Sequence, residues 1–137
     1  MKLVGCILLL AIVLTSSASN GATTQTQGEL NQTACEKYKR ADAEMNKTYQ
    51  QIFRAYAKDQ VFLDKLKAAQ RFWLAFRDAH LESLYPDPSK GAYGSVNPMC
   101  RCIALENLTV ERTKALQQWI QGLPEGDVCA GSIRVKP

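Results

Sequence analysis

Between Leu30 and Tyr56 the residues Leu30, Ala34, Tyr38, Ala41, Met45, Tyr49, Ile52 and Tyr56 recur at steps of 4, 4, 3, 4, 4, 3 and 4, with no proline or glycine between them. An α-helix turns once every 3.6 residues, so this spacing gathers all eight onto one face. The direct reading is a single helix of roughly 30 residues, about 45 Å long. Thr26, followed three residues later by Glu29, fits a capping box at its start. Asp59 reads as the next cap, and a second stripe follows in Phe62, Leu63, Leu66, Ala69, Trp73, Phe76, His80 and Leu84. Pro86 ends it, because proline disfavours helical backbone in the residue before it. Tyr85 to Met99 (YPDPSKGAYGSVNPM) is a Pro-, Gly- and Ser-rich loop. A third stripe runs through Ile103, Leu105, Leu108, Arg112, Ala115, Leu116, Trp119 and Ile120, and Gly122 and Pro124 stop it. From Leu123 onward no clear period remains. Short connections make neighbouring helices antiparallel. The expected architecture is all-α: a three-helix antiparallel hairpin or bundle with one long first helix.

The N-terminus reads as an export signal. Lys2 precedes Leu3 to Leu14 (LVGCILLLAIVL), a 12-residue run without a charge, and the small residues Ser16-Ser17-Ala18 follow. The run falls short of the roughly 20 apolar residues that a spanning helix needs, so no membrane span is expected in the mature chain. Leu3-Val4-Gly5-Cys6 spells a lipobox, but it precedes the apolar run instead of following it. Cys6 therefore reads as an ordinary signal residue. The expected division is a signal peptide over 1–18 with cleavage between 18 and 22, a polar lead-in over 19–28, a helical domain over 29–130 and a tail over 131–137.

Once Cys6 is removed, four cysteines remain: Cys35, Cys100, Cys102 and Cys129. An even number in an exported chain implies disulfides. A Cys100–Cys102 bridge would strain the disulfide geometry, so Cys35 pairs with Cys100, Cys102 or Cys129. In an up-down-up arrangement the starts of the first and third helices share one end of the bundle, which favours Cys100 or Cys102. Cys129 lies beyond the third helix, at the opposite end. Residues 122 to 129 could span about 26 Å if fully extended, so a second bridge requires the tail to fold back. Otherwise Cys129 is a free or intermolecular thiol.

The net charge of +4 falls to about +3 when Lys2 leaves with the signal, and charges alternate in sign along the chain (EKYKRADAEMNK). That pattern carries no nucleic-acid signature. The densest segment is Leu66 to Asp78, in which Gln70, Trp73 and Arg77 share one helix face. An arginine in an apolar face needs a carboxylate partner. Asp42 and Asp78 are the candidates for Arg77, and Arg112 on the third stripe poses the same problem. The expectation is a buried ion-pair network that sets helix docking, with a ligand-binding arginine cluster as the other reading. His80 is the sole histidine and has no nucleophile elbow or Gly-rich oxyanion loop near it. The Cys-x-Cys spacing and an oxidising compartment argue against zinc. Carboxylate pairs such as Asp42 and Glu44 lack the selective desolvation of an acid/base pair. No catalytic residue, metal or cofactor is expected. Sequons stand at Asn31, Asn46 and Asn107.

Three segments resemble signatures of the LprI-like family. They are Leu30-Asn31 with Tyr38, Ala41-Asp42, Met45-Asn46 and Tyr49; Gln70-Arg71-x-Trp73-x-x-x-Arg77-Asp78-Ala79; and Leu108-Thr109-x-x-Arg112-Thr113-x-x-Leu116. The resemblance covers about residues 25 to 130, in order and spacing. Cysteine positions depart from it: Thr33 and Leu81 stand where the family commonly carries cysteines, and Cys35, Cys100 and Cys102 are displaced. The resemblance implies a small exported bacterial protein and, for its name-giving member, inhibition of lysozyme. It therefore points to a secreted or periplasmic, non-enzymatic binding protein whose partner is lysozyme or another envelope hydrolase. The alternative is a structural or assembly module of the envelope without an enzyme target. The 85–99 loop is the candidate contact surface, with Tyr85, Tyr93 and Met99 as anchors and Asp87 as its acid. Many lysozymes are strongly basic, so a mildly basic inhibitor has no global charge complementarity to rely on.

Overall fold

A computed structural model describes residues 24–86, 89 and 91–136. The expected signal peptide, Asp87 and Lys90 lie outside the described residues. Three helices follow in order: α1 (Gln27–Ala55), α2 (Gln60–Leu84) and α3 (Asn97–Gln121).

Local chemistry sets each boundary. Thr26 and Glu29 form the capping box: the Thr26 backbone N–H donates to Glu29 Oε2 at 2.7 Å, and the Glu29 N–H donates to Thr26 Oγ1 at 3.3 Å. Asp59 caps α2 by accepting the Phe62 N–H at 3.0 Å. α2 ends at Leu84, just before Pro86. Pro98 sits in the first turn of α3, where a missing N–H costs nothing. Gly122 ends α3 at φ 73°, a conformation open to glycine without Cβ strain.

α1 and α3 run parallel and make most of the interhelical contact, whereas few backbone positions of α2 approach α3. Side-chain size explains the difference. The buried positions of α1 and α3 include Ala34, Thr48, Thr109 and Thr113, small enough for two helices to approach closely. α2 meets them through Leu63, Leu66, Gln70, Trp73 and Leu81, which hold its backbone farther out. The central cluster joins Met45, Ile52 and Tyr56 of the α1 segment to Leu63, Leu66 and Leu116, with Tyr49, Phe53, Phe62, Trp73, Leu74 and Trp119 around it.

The second stripe is corrected from Ala69 onward. Phe76 is 55% exposed, Leu84 is exposed and Ala69 faces outward, while Gln70 and Leu81 are buried instead. Counting every apolar residue placed the face about one residue out of phase, because a glutamine and an arginine occupy inward positions. On α3, Ile103, Ala115 and Ile120 are exposed and Thr109 and Thr113 fill the interior. Threonine is half polar, so an apolar count passes over it.

Cys35 pairs with Cys102, with their Cα atoms 4.9 Å apart. Two residues turn a helix by about 200°, so Cys100 faces away from α1 when Cys102 faces it. The second bridge that a folded-back tail could have made does not form: Cys100 and Cys129 are free thiols, and Cys129 is exposed. The tail instead turns back on itself at the end of the bundle opposite the disulfide, through a bridge between Leu123 and Val135, with Arg134 beside the end of α1.

Candidate functional site

The loop between α2 and α3 is tied down from three sides. The Tyr85 and Tyr93 rings meet edge-on with centroids 5.7 Å apart, and Tyr93 Oη donates to the Pro86 carbonyl at 2.9 Å. Arg101 lies over the Tyr85 ring at 5.9 Å and pairs with Glu82. On the α1 side, Asn31 Nδ2 donates to the Ser95 carbonyl at 3.0 Å, close to the Cys35–Cys102 bridge. Tyr85, Tyr93 and Met99 are half-buried. The two tyrosine rings thus join Tyr85 to Tyr93 across the loop while keeping part of each surface open. Arg101 and Glu82 are the members that periodicity missed. The signal was available, since Glu82 ends one helix and Arg101 begins the next where the chain must turn back.

The signature side chains come together between the helices. Arg77, whose side chain is 12% exposed, lies 3.4 Å from Asp42 and 2.8 Å from Asp78. Its guanidinium sits 5.9 Å from the Tyr38 ring and 5.6 Å from the Trp73 ring. Arg112 lies 5.8 Å from the same Trp73 ring and donates through Nε to Gln70 Oε1 at 2.9 Å. Gln70 in turn donates to Met45 Sδ at 3.5 Å. Asp42, Gln70, Trp73, Arg77, Asp78 and Arg112 therefore form one network across all three helices. Arg112 has no carboxylate within ion-pair distance among the described residues. Burial pushes its pKa down and pushes those of Tyr38 and Tyr49 up; at Tyr38 the nearby Arg77 charge partly opposes the rise. Thr113 Oγ1 donates to the Thr109 carbonyl at 2.8 Å, while Thr109 Oγ1 is buried without a partner.

This network orients helices. It holds a guanidinium beside two carboxylates and an indole, with no nucleophile paired to a base. His80 stacks on Phe76 at 5.5 Å, away from both aspartates of the network. Among the described residues no group of three or more His, Cys, Asp or Glu side chains is placed to hold a metal ion, and no helix is long and apolar enough to cross a membrane.

Comparison with known proteins adds a family to this geometry. The family model described as lysozyme inhibitor LprI matches residues 18–116. A protein of Rhizobium meliloti (strain 1021), described as uncharacterized, is 36% identical over 106 residues, which cover 69% of this chain and 74% of the relative. No solved structure matches. The matched span contains α1, α2, the pinned loop and most of α3, together with every residue of the arginine network. The chain therefore belongs to the LprI lysozyme inhibitor family.

Proposed function

We propose that this chain is an exported, non-enzymatic binding protein that inhibits a lysozyme through the 85–99 loop. The family match carries the reading, because the family is described as an inhibitor of that enzyme. It opens at residue 18, just after the apolar run Leu3 to Leu14 and the small residues that read as a cleavage site. Four cysteines in the remaining chain, one pair of them bridged, fit an oxidising compartment.

The loop is the favoured contact for a physical reason. Binding costs less when the contacting segment is already ordered. Here the Cys35–Cys102 bridge, the Tyr85–Tyr93 pair and the Asn31–Ser95 hydrogen bond hold its described residues Tyr85, Tyr93 and Ser95 in place in the free protein. Tyrosines with part of their rings open are common anchors in interfaces. Asp87 is the loop's one acid and Lys90 offsets it, so the reading rests on the tyrosines and not on charge.

The test is a lysozyme activity assay with the purified mature protein, titrated against several lysozyme classes at low and moderate salt. Dose-dependent inhibition of at least one class is expected, weakened at least about tenfold by Tyr85→Ala or Tyr93→Ala. Inhibition of no class would remove the reading. Inhibition untouched by either loop variant would move the contact elsewhere on the protein.

A further inference from the structure

At the end of the bundle opposite the disulfide, the α1–α2 turn and the returning tail enclose two open cavities that share Ala55 and Arg134. One, of about 910 Å³, is lined by Arg54 to Val61 and Arg134. The other, of about 260 Å³, is lined by the end of α3, Arg134 and Lys136. Four cations stand around the pair, Arg54, Lys58, Arg134 and Lys136, against one carboxylate, Asp59. The walls of the two cavities therefore carry a local net charge of +3. Asp59 is already engaged with the Phe62 N–H. Glu125 and Asp127 belong to the same returning tail but line neither cavity. None of the ion pairs among the described residues uses any of the four cations.

Cations also gather at helix C-termini simply to complement the dipole. That accounts for Arg134, whose guanidinium bonds the Ala55 carbonyl at the end of α1. It also covers Arg54, in the last turn of α1, and leaves Lys58 and Lys136, which lie beyond the ends of α1 and α3 and donate to no carbonyl among the described residues. Arg134 is moreover fixed in place. Its backbone N–H donates to Tyr56 Oη at 3.2 Å, its guanidinium lies 4.3 Å from the Tyr56 ring centroid, and Tyr56 Oη donates to the Trp119 carbonyl at 3.1 Å. The result is one immobilised guanidinium at the seam of two cavities, flanked by three exposed, unpaired cations.

We propose that this end of the bundle binds a ligand carrying two or more closely spaced phosphate groups. The larger cavity exceeds what one small ion fills. A net +3 wall matches two phosphate monoesters, each of about −1.5 to −2 at neutral pH, and arginine and lysine are the side chains that bind them. The phosphates can belong to a soluble polymer or to a lipid headgroup. This site lies away from the 85–99 loop and does not depend on the inhibitor reading.

The test titrates the full oxidised protein with inorganic tripolyphosphate by calorimetry and, in a second arm, sediments it with phosphatidylcholine vesicles with and without phosphatidic acid. Saturable, salt-sensitive binding is expected in at least one arm. Tripolyphosphate alone would identify a soluble or polymeric source, and vesicles alone a headgroup. The double variant Arg54→Gln/Lys58→Gln, whose side chains make no hydrogen bond or ion pair among the described residues, should keep the helical signal and weaken binding about tenfold per cation removed. Lys37→Gln/Lys39→Gln, in the other half of α1, should leave it unchanged. Binding in neither arm, or equal loss in both double variants, would overturn the proposal.

Discussion

Opening the Cys35–Cys102 bridge tests how much of this fold depends on covalent closure. The two cysteines are 67 residues apart, and between them lie most of α1, all of α2 and the loop. A cross-link over that separation restricts the unfolded chain, and chain-entropy reasoning puts the stabilisation at about 4 kcal/mol at 25 °C. A folded unit of roughly 110 residues unfolds with an entropy of about 2.1 cal/mol/K per residue, so losing the bridge should lower Tm by about 15–20 °C. The assay is thermal unfolding followed by helical circular dichroism, comparing Cys35→Ala/Cys102→Ala with Cys100→Ala/Cys129→Ala. The second variant should melt like the parent, since both thiols are free. Alkylation of the unreduced protein should label Cys100 and Cys129 and spare Cys35 and Cys102. A fall in Tm below about 5 °C would refute the loop-entropy reasoning, and alkylation of Cys35 would refute the pairing.

Three further outcomes follow from the geometry. Arg77→Ala should cost about 2–3 kcal/mol in urea unfolding, because its stem and guanidinium are packed against Tyr38 and Trp73 and its loss leaves Asp42 half-buried; Asp78→Ala, whose carboxylate is 65% exposed, should cost under about 1 kcal/mol, and equal costs would contradict the inward placement of Arg77. Gly122→Ala places a Cβ 2.8 Å from the Arg134 carbonyl oxygen, so it should speed hydrogen exchange at the Leu123 and Lys136 amides while leaving the helix interiors protected; unchanged exchange would mean the tail is not seated there. The Thr26 backbone N–H holds Glu29 below its ordinary pKa of 4.5; a depressed carboxylate stabilises above its unfolded value and loses that stabilisation as pH falls through its folded value, so first-turn amide protection in α1 should drop under acid in the parent and show no such drop in Glu29→Gln, which keeps an acceptor for that N–H but does not titrate.

The sequence was most readable where one physical rule acted alone. On α1 the stripe from Leu30 to Tyr56 faces inward as the spacing implied, because few polar residues intrude on that face, and the Thr26, Asp59 and Gly122 boundaries were visible because each cap has its own local chemistry. The choice between Cys100 and Cys102 was narrowed but left open. It depended on the rotation of α3 about its own axis, and the apolar residues of α3 that would have set that rotation, Ile103, Ala115 and Ile120 among them, prove to be exposed.

The misplaced face of α2 and the arginine network are one phenomenon. Gln70 and Arg77 occupy inward positions because Asp42, Tyr38, Met45 and Arg112 wait there to satisfy them. The spacing already places Gln70, Trp73 and Arg77 on one face with Asp42 as a candidate partner, but a count of apolar residues also draws Ala69, Phe76 and Leu84 onto the inward stripe, and these are exposed in the fold. Phe72, 75% exposed, lies one turn before Phe76 on that outward side. The network thus has a cost and a consequence. It spends interior positions on polar groups, and the bulk of Trp73 and the two guanidiniums keeps α2 from closing on its neighbours as tightly as α1 closes on α3. What it provides is register: an arginine bonded to Asp42 of α1 and a glutamine bonded to Arg112 of α3 lock α2 along its axis and about it. Pro86 sets where α2 ends along the chain; the lock sets where that end lies against α1 and α3, and so where the loop carrying Tyr85 and Tyr93 is presented.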